Sequence, residues 1–178
     1  MAYIKFIVNS IPVAQPRHRF GNIKNKKDGS IVCDAEGNPI IRAFLPMGHP
    51  IHMWKYEVKK TARLAMEKYG LTEVMTEPVV LEAIFLLPRP DALNMLVGRS
   101  NNKHYKYDPG ILPHWKRPDL DNLEKALKDA LKGIVWDDDN QVFKHGPEHG
   151  KYYHAIGDSP KCIVSIWTLN LEEWLNDK

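Results

Sequence analysis

Lys116 to Val142 reads KRPDLDNLEKALKDALKGIVWDDDNQV, and the rest of the chain is placed around this stretch. Leu120, Leu123, Leu127, Ala130, Leu131 and Ile134 recur at three- and four-residue intervals, which draws one apolar stripe along a helix. Gly133 supplies a C-terminal stop. Asp121 or Asn122 is suited to cap the start, and Asp121 with Glu124 three residues on has the form of a capping box. Glu124–Lys128 and Lys125–Asp129 are opposite charges at i,i+4 spacing. One acidic cluster, Asp119-Leu120-Asp121, therefore begins the helix, and another, Asp137-Asp138-Asp139, follows its end.

Each cluster alone has an ordinary explanation: a helix cap for Asp121, a solvated turn for Asp137 to Asp139. Together they point to chemistry, the more so because Lys125 lies one turn past Asp121 on the same side. Asp119 is expected in an extended segment, where side chains at i and i+2 point the same way, so Asp119 and Asp121 can converge. Converging carboxylates repel unless a proton or cation separates them. Hard oxygen donors suit Mg²⁺ or Mn²⁺, and the helix dipole holds an anion at its N-terminus.

The stretch resembles the RusA family of Holliday junction resolvases, found mostly in phages and prophages. The family pattern is a basic residue, Pro-Asp-x-Asp-Asn, a Lys, Asp-Ala-Leu-x-Gly, and later Asp-Asp-x-Gln-Val or -Ile. Here it reads Arg117-Pro118-Asp119-Leu120-Asp121-Asn122, Lys125, Asp129-Ala130-Leu131-Lys132-Gly133 and Asp138-Asp139-Asn140-Gln141-Val142, with no departure. The resemblance implies that Asp119, Asp121 and Asp139 form a site for Mg²⁺, with Mn²⁺ as a substitute, and that Lys125 is catalytically important. It implies a homodimer acting on branched DNA, since a four-way junction is cut on two opposed strands and a two-fold protein presents two matched sites. Asp138 matches the first Asp of the family's pair; Asp137 is an additional acid. In the family a polar or basic loop after the first strand contacts DNA, which makes Gln15, Arg17 and Arg19 candidates beside the basic pair Lys116 and Arg117.

The 178 residues fit a single domain, 1–178, and an apolar fraction of 43% is enough for a core. The net charge of +3 permits nucleic-acid binding without requiring it. No run of 18 apolar residues exists, so no membrane span is expected. MAYIKFIVNS lacks the shape of a signal peptide. Cys33 and Cys162 are far apart and form no CxxC, which suits reduced thiols in a cytoplasmic protein.

Along the chain, Ala2 to Ile11 alternates as a strand with Ile4, Phe6 and Val8 on its apolar side. Gln15 to Phe20 is a basic, kinked segment. Gly21 to Pro39 reads as a long turn or hairpin near the DNA path, with short strands at Ile31 to Cys33 and Ile40 to Leu45. His52 to Tyr69 has helical spacing and stops at Gly70; Lys55, Lys59, Lys60, Arg63 and Lys68 make its other side basic. The apolar run from Pro78 to Leu87 reads as a central strand. Pro88 to Lys116 has no periodicity. It mixes Arg89, Arg99, Lys103, Lys106 and Lys116 with Tyr105, Tyr107 and Trp115, which suits phosphate contact and base stacking. Gln141 to Lys144 and Cys162 to Leu169 read as strands, Tyr152 to His154 as a connection or strand start, and Leu171 to Lys178 as a short polar tail. His49–His52 and His145–His149 have zinc-like spacing but no nearby carboxylate or Cys, so they are expected at the surface. Asp137, Asp139, Gln141 and Glu148 imitate a calcium loop, but Val142 takes the glycine position.

The expected fold is α+β: a single mixed sheet of about five strands with two main helices packed on it. The leading function is a Mg²⁺-dependent endodeoxyribonuclease that resolves four-way junctions. Alternatives are a nuclease for other branched DNA, a non-catalytic DNA-binding module, and a phosphatase with an Asp119 nucleophile. A binding module gains nothing from anions that face phosphate. The phosphatase motif normally follows an apolar strand, whereas His114-Trp115-Lys116-Arg117-Pro118 stands here.

Overall fold

A computed structural model describes residues 2–17, 19–93, 110–169 and 171–176. Arg99, Lys103, Tyr105, Lys106 and Tyr107 lie outside the described residues, as does the side chain of Arg19.

The alternation in Tyr3–Val8 (β1) is obeyed residue by residue, with Ile4, Phe6 and Val8 buried. Val79–Leu87 (β4), apolar except for Glu82, is central, with neighbouring strands paired along both its edges. On one edge it pairs antiparallel with Lys161–Thr168 (β8), Ala83 opposite Val164. β8 in turn pairs antiparallel with β1. The other edge of β4 is shared by two short strands, both parallel to it. Val142–His145 (β6) takes the beginning, Val79 opposite Val142. Gly150–Tyr153 (β7) takes the end, Ile84 opposite Gly150. Leu112–Pro113 (β5) completes the sheet beyond β7. The sheet is mixed and five positions wide in the order β1-β8-β4-β7-β5, with β6 beside β7 along one edge. That is the expected α+β architecture.

Both main helices pack on one face. Ile51–Lys68 (α1) buries Ile51, Trp54, Val58, Ala62, Ala65 and Met66. Its free Ile51 amide donates to His49 Nδ1, 3.2 Å away. It ends where Gly70 takes a φ of +71°. Leu120–Leu131 (α2) buries Leu123, Ala126, Leu127, Ala130 and Leu131 against α1, β4 and Trp136. Across the helix pair, Lys55 Nζ lies 2.8 Å from Asp129 Oδ2.

The segment after β1 departs from the sequence reading. Arg19–Asn22 (β2) and Ile41–Phe44 (β3) form a two-stranded ribbon of their own, Phe20 opposite Ala43. Arg19 therefore belongs to a strand. Ile31 and Cys33 make only isolated bridges, to Lys24 and Pro39, because Asx turns at Asp28 and Asp34 reverse the chain around them. At the other end, Leu171–Asn176 (α3) is helical where a plain tail was expected.

Candidate active site

Asp119, with ψ of 145°, is the last extended residue before α2 and its N-cap position. Asp121 and Asn122, expected as caps, lie inside the first turn, and Asp121 Oδ1 accepts the Asn122 amide at 2.8 Å. The two acids thus flank the helix start instead of alternating along one strand. Both are exposed, where the helix dipole favours their negative charge.

The approach to Asp119 is held from β7. β5 pairs with Tyr152 and Tyr153, and the His114 amide donates to the Lys151 carbonyl at 3.1 Å. Lys151 Nζ then donates to the carbonyls of Lys116 and Pro118, each at 2.7 Å. Burial, then the charges of Lys151 and Lys116, hold His114 below the usual imidazole range. Trp115 packs edge-on against Tyr153 yet stays exposed.

The segment after β1 arrives from the other side, where the Gln15 amide donates to the Asn122 carbonyl at 2.8 Å. Gln15, Arg17, Arg117, Asp119 and Asn122 line one groove of about 630 Å³. Residues far apart in sequence, read separately as DNA contacts and as a metal ligand, share this groove. Lys125 is exposed one turn further along α2. Its expected pairing with Asp129 does not form: Asp129 is engaged by Lys55, and none of the ion pairs among the described residues uses Lys125. The Glu124–Lys128 pair does form, at 2.6 Å.

The second acidic cluster is a built turn. Gln141 Oε1 accepts the amides of Asp137 and Asp138 at 2.8 and 2.9 Å, while Gln141 Nε2 donates to the carbonyls of Met75 and Glu77. Asp138 caps the 3₁₀ turn Asp139–Gln141 and pairs with Lys132. That pairing, then the Asn140 amide, keeps its carboxyl below the usual range. Asp139 Oδ1 accepts from the indole N–H of buried Trp136 at 3.0 Å.

This turn does not meet Asp119 and Asp121 within one chain. α2 has 12 residues, roughly 18 Å at 1.5 Å per residue, and the two clusters sit at its opposite ends. The sheet says the same. Lys151, which grips Pro118, lies opposite Phe85, and Val142, next to the 3₁₀ turn, lies opposite Val79. Those two positions on β4 are roughly 20 Å apart at 3.3 Å per residue.

Among the described residues the close-set group of potential ligands is a different one: Glu124, His145 and His149. The sequence reading left these histidines on the surface for want of a carboxylate. The fold supplies Glu124, and the His149 side chain is only 6% exposed. His149 fills the gap in the β4 ladder between β6 and β7, where its Nδ1 accepts the Ala83 amide at 3.1 Å. The ring's proton is therefore on Nε2, which faces Glu124 Oε2 at 3.6 Å. A metal would need the lone pair at that nitrogen. The cluster is accordingly a clasp. Glu124 faces His149, Lys128 at 2.6 Å and His145 at 2.8 Å, and these neighbours, His149 foremost, hold its carboxyl far below the usual range. The Glu124–Lys128 and His145–His149 spacings are legible locally, but the meeting of the two pairs and the reach of Lys151 depend on strand pairing and have no local signal.

The family model for endodeoxyribonuclease RusA matches residues 10–166. The uncharacterized protein YqaN of Bacillus subtilis (strain 168) is 32% identical over 142 residues, which cover 80% of this chain and 83% of that protein.

Proposed function

The chain belongs to the RusA family of endodeoxyribonucleases, and from that premise we propose that it resolves four-way DNA junctions by Mg²⁺-dependent hydrolysis of opposed strands. The family makes it a hydrolase of DNA. The observation that carries the finer reading is the groove at the start of α2, where Gln15 and Arg17 come beside Arg117 and Asp119. Cationic and amide donors there would hold the DNA backbone, next to carboxylates whose charge phosphate alone would reject. No helix among the described residues is long and apolar enough to cross a membrane.

The donor set fits a hard divalent ion. Asp119 and Asp121 are exposed oxygen donors at a helix start, and Asp139 is a third whose orientation Trp136 sets. When bound, Mg²⁺ would supply Lewis acidity at the scissile phosphate, and Mn²⁺ would serve in its place. Lys125, free of Asp129, would meet negative charge that develops on the phosphate in the transition state. Arg17, Arg117 and Lys116 would hold the flanking strand, with Arg19 following from β2.

In this reading the working unit is a homodimer and each site is shared. Asp119 and Asp121 come from one copy and Asp139 from the other. Support comes from the separation of the two clusters along α2, since a two-fold axis across that helix brings one copy's start to the other copy's end. The test is a synthetic mobile four-way junction with Mg²⁺ or with EDTA. Paired nicks at symmetric positions with Mg²⁺ alone are expected. Cleavage unaffected by EDTA, or cutting of flaps and forks in preference to junctions, would overturn the reading.

A further inference from the structure

Lys151 stands on β7, outside the acidic motif, and holds the segment leading into it at three points. Its carbonyl accepts the His114 amide at 3.1 Å, and its Nζ donates to Lys116 O and Pro118 O at 2.7 Å each. Pro118 O belongs to the peptide unit that contains the Asp119 nitrogen. On the far side of the groove the Gln15 amide fastens Asn122 O. Asp119 precedes the helical residues: its carbonyl accepts the Leu123 amide at 3.2 Å, but its side chain makes no capping bond, so the segment before it shares in setting its direction.

We infer that Lys151 is a positioning residue for the metal-binding carboxylates: its ammonium fixes the backbone of Lys116 to Pro118 and thereby aims Asp119. The inference rests on the reading that Asp119 and Asp121 hold a divalent cation. Carboxylates bind a small, geometrically demanding ion well only when their separation is set before the ion arrives. Charge-assisted bonds to two carbonyls on either side of Arg117 set it here.

The test uses the full chain without DNA. Mn²⁺ binding is titrated by calorimetry for wild type, Lys151→Met, Lys151→Arg and Asp121→Asn, and junction cleavage is followed against Mg²⁺ concentration. Loss of an outer-shell partner typically weakens metal affinity by about 10- to 100-fold. Lys151→Met is therefore expected to bind Mn²⁺ at least about tenfold more weakly, to shift the Mg²⁺ midpoint by a similar factor, and to recover most of its rate at high Mg²⁺. Lys151→Arg, which still offers two donors to the carbonyls, should stay close to wild type in both measurements. An unchanged Mn²⁺ affinity and Mg²⁺ midpoint in Lys151→Met would overturn the inference, even with a lowered Tm. Should that variant not fold, Lys151→Gln keeps one donor and carries the test: a weaker Mn²⁺ affinity supports the role, a wild-type value overturns it. Asp121→Asn separates the two ideas, because normal Mn²⁺ binding there would reject the metal site itself, whatever Lys151 does.

Discussion

Lys125 and Glu124 are neighbours on α2 with different surroundings: Lys125 is exposed, and Glu124 is held by His149, Lys128 and His145. Pairing with Asp129 would have given Lys125 a surface ion pair worth only about 0.2–0.5 kcal/mol, and the fold gives Asp129 to Lys55 instead. Lys125→Ala should therefore melt within a few degrees of wild type and bind junctions. Under single-turnover conditions it should cut at least about a hundredfold more slowly, the scale of losing one preorganised donor to transition-state charge. Near-normal cleavage would return this lysine to the helix surface. Glu124 acts on stability. Its folded carboxyl titrates below the ordinary value of 4.5, so the stabilisation it contributes is present above that pH and is lost as pH falls beneath it. Glu124→Gln should lower Tm at pH 7, and the gap from wild type should close as the pH is taken down from about 4.5. A gap that does not change with pH would mean that Glu124 works by packing alone.

At the scale of the element, α2 is both one of the two core helices and the rod that spaces the acidic clusters. Leu127 is fully buried, and truncation to Ala at such a site costs about 2–5 kcal/mol. Leu127→Ala should shift urea unfolding by that amount. Cleavage measured well below the transition should fall far less than in Lys125→Ala, because the side chain faces away from the groove. At the helix end, Gly133 has φ of +71° with open space where a Cβ would stand. Its substitution by Ala therefore tests backbone strain and nothing else, at a cost of about 1 kcal/mol. A larger loss would mean that the turn to Trp136 and Asp139 had also been disturbed.

For the whole molecule the sharpest prediction concerns mixed dimers. Asp119→Asn and Asp139→Asn should each be inactive alone while still binding junctions. With shared sites, a dimer of one copy of each carries both defects in one site and none in the other. Co-refolded mixtures should therefore regain cleavage, seen as single nicks in place of paired ones. With sites confined to one chain, every site in the mixture would carry a defect and no activity would return. The measurement separates the two arrangements without knowledge of the interface.

By itself the sequence determined the main elements and the family. Apolar spacing marked α1 and α2, alternation marked β1 and β8, and the dense apolar run marked β4 as central, because these patterns express relations within a few residues along the backbone. The acidic clusters, Lys125 and the basic residues before Asp119 were legible for the same reason. Only the tertiary structure decided which side chains work together. Lys55 takes Asp129 across 74 residues, and Lys151 reaches Pro118 across 33. His149 finds Glu124 because β6 and β7 divide one edge of β4 and leave the Ala83 amide to an imidazole. The two acidic clusters, close along the sequence, are held apart because the twelve-residue helix Leu120–Leu131 begins at one and ends just before the other. Helical spacing predicts partners one turn away. Strand pairing and helix length set those brought together or kept apart at long range, and no local pattern records them.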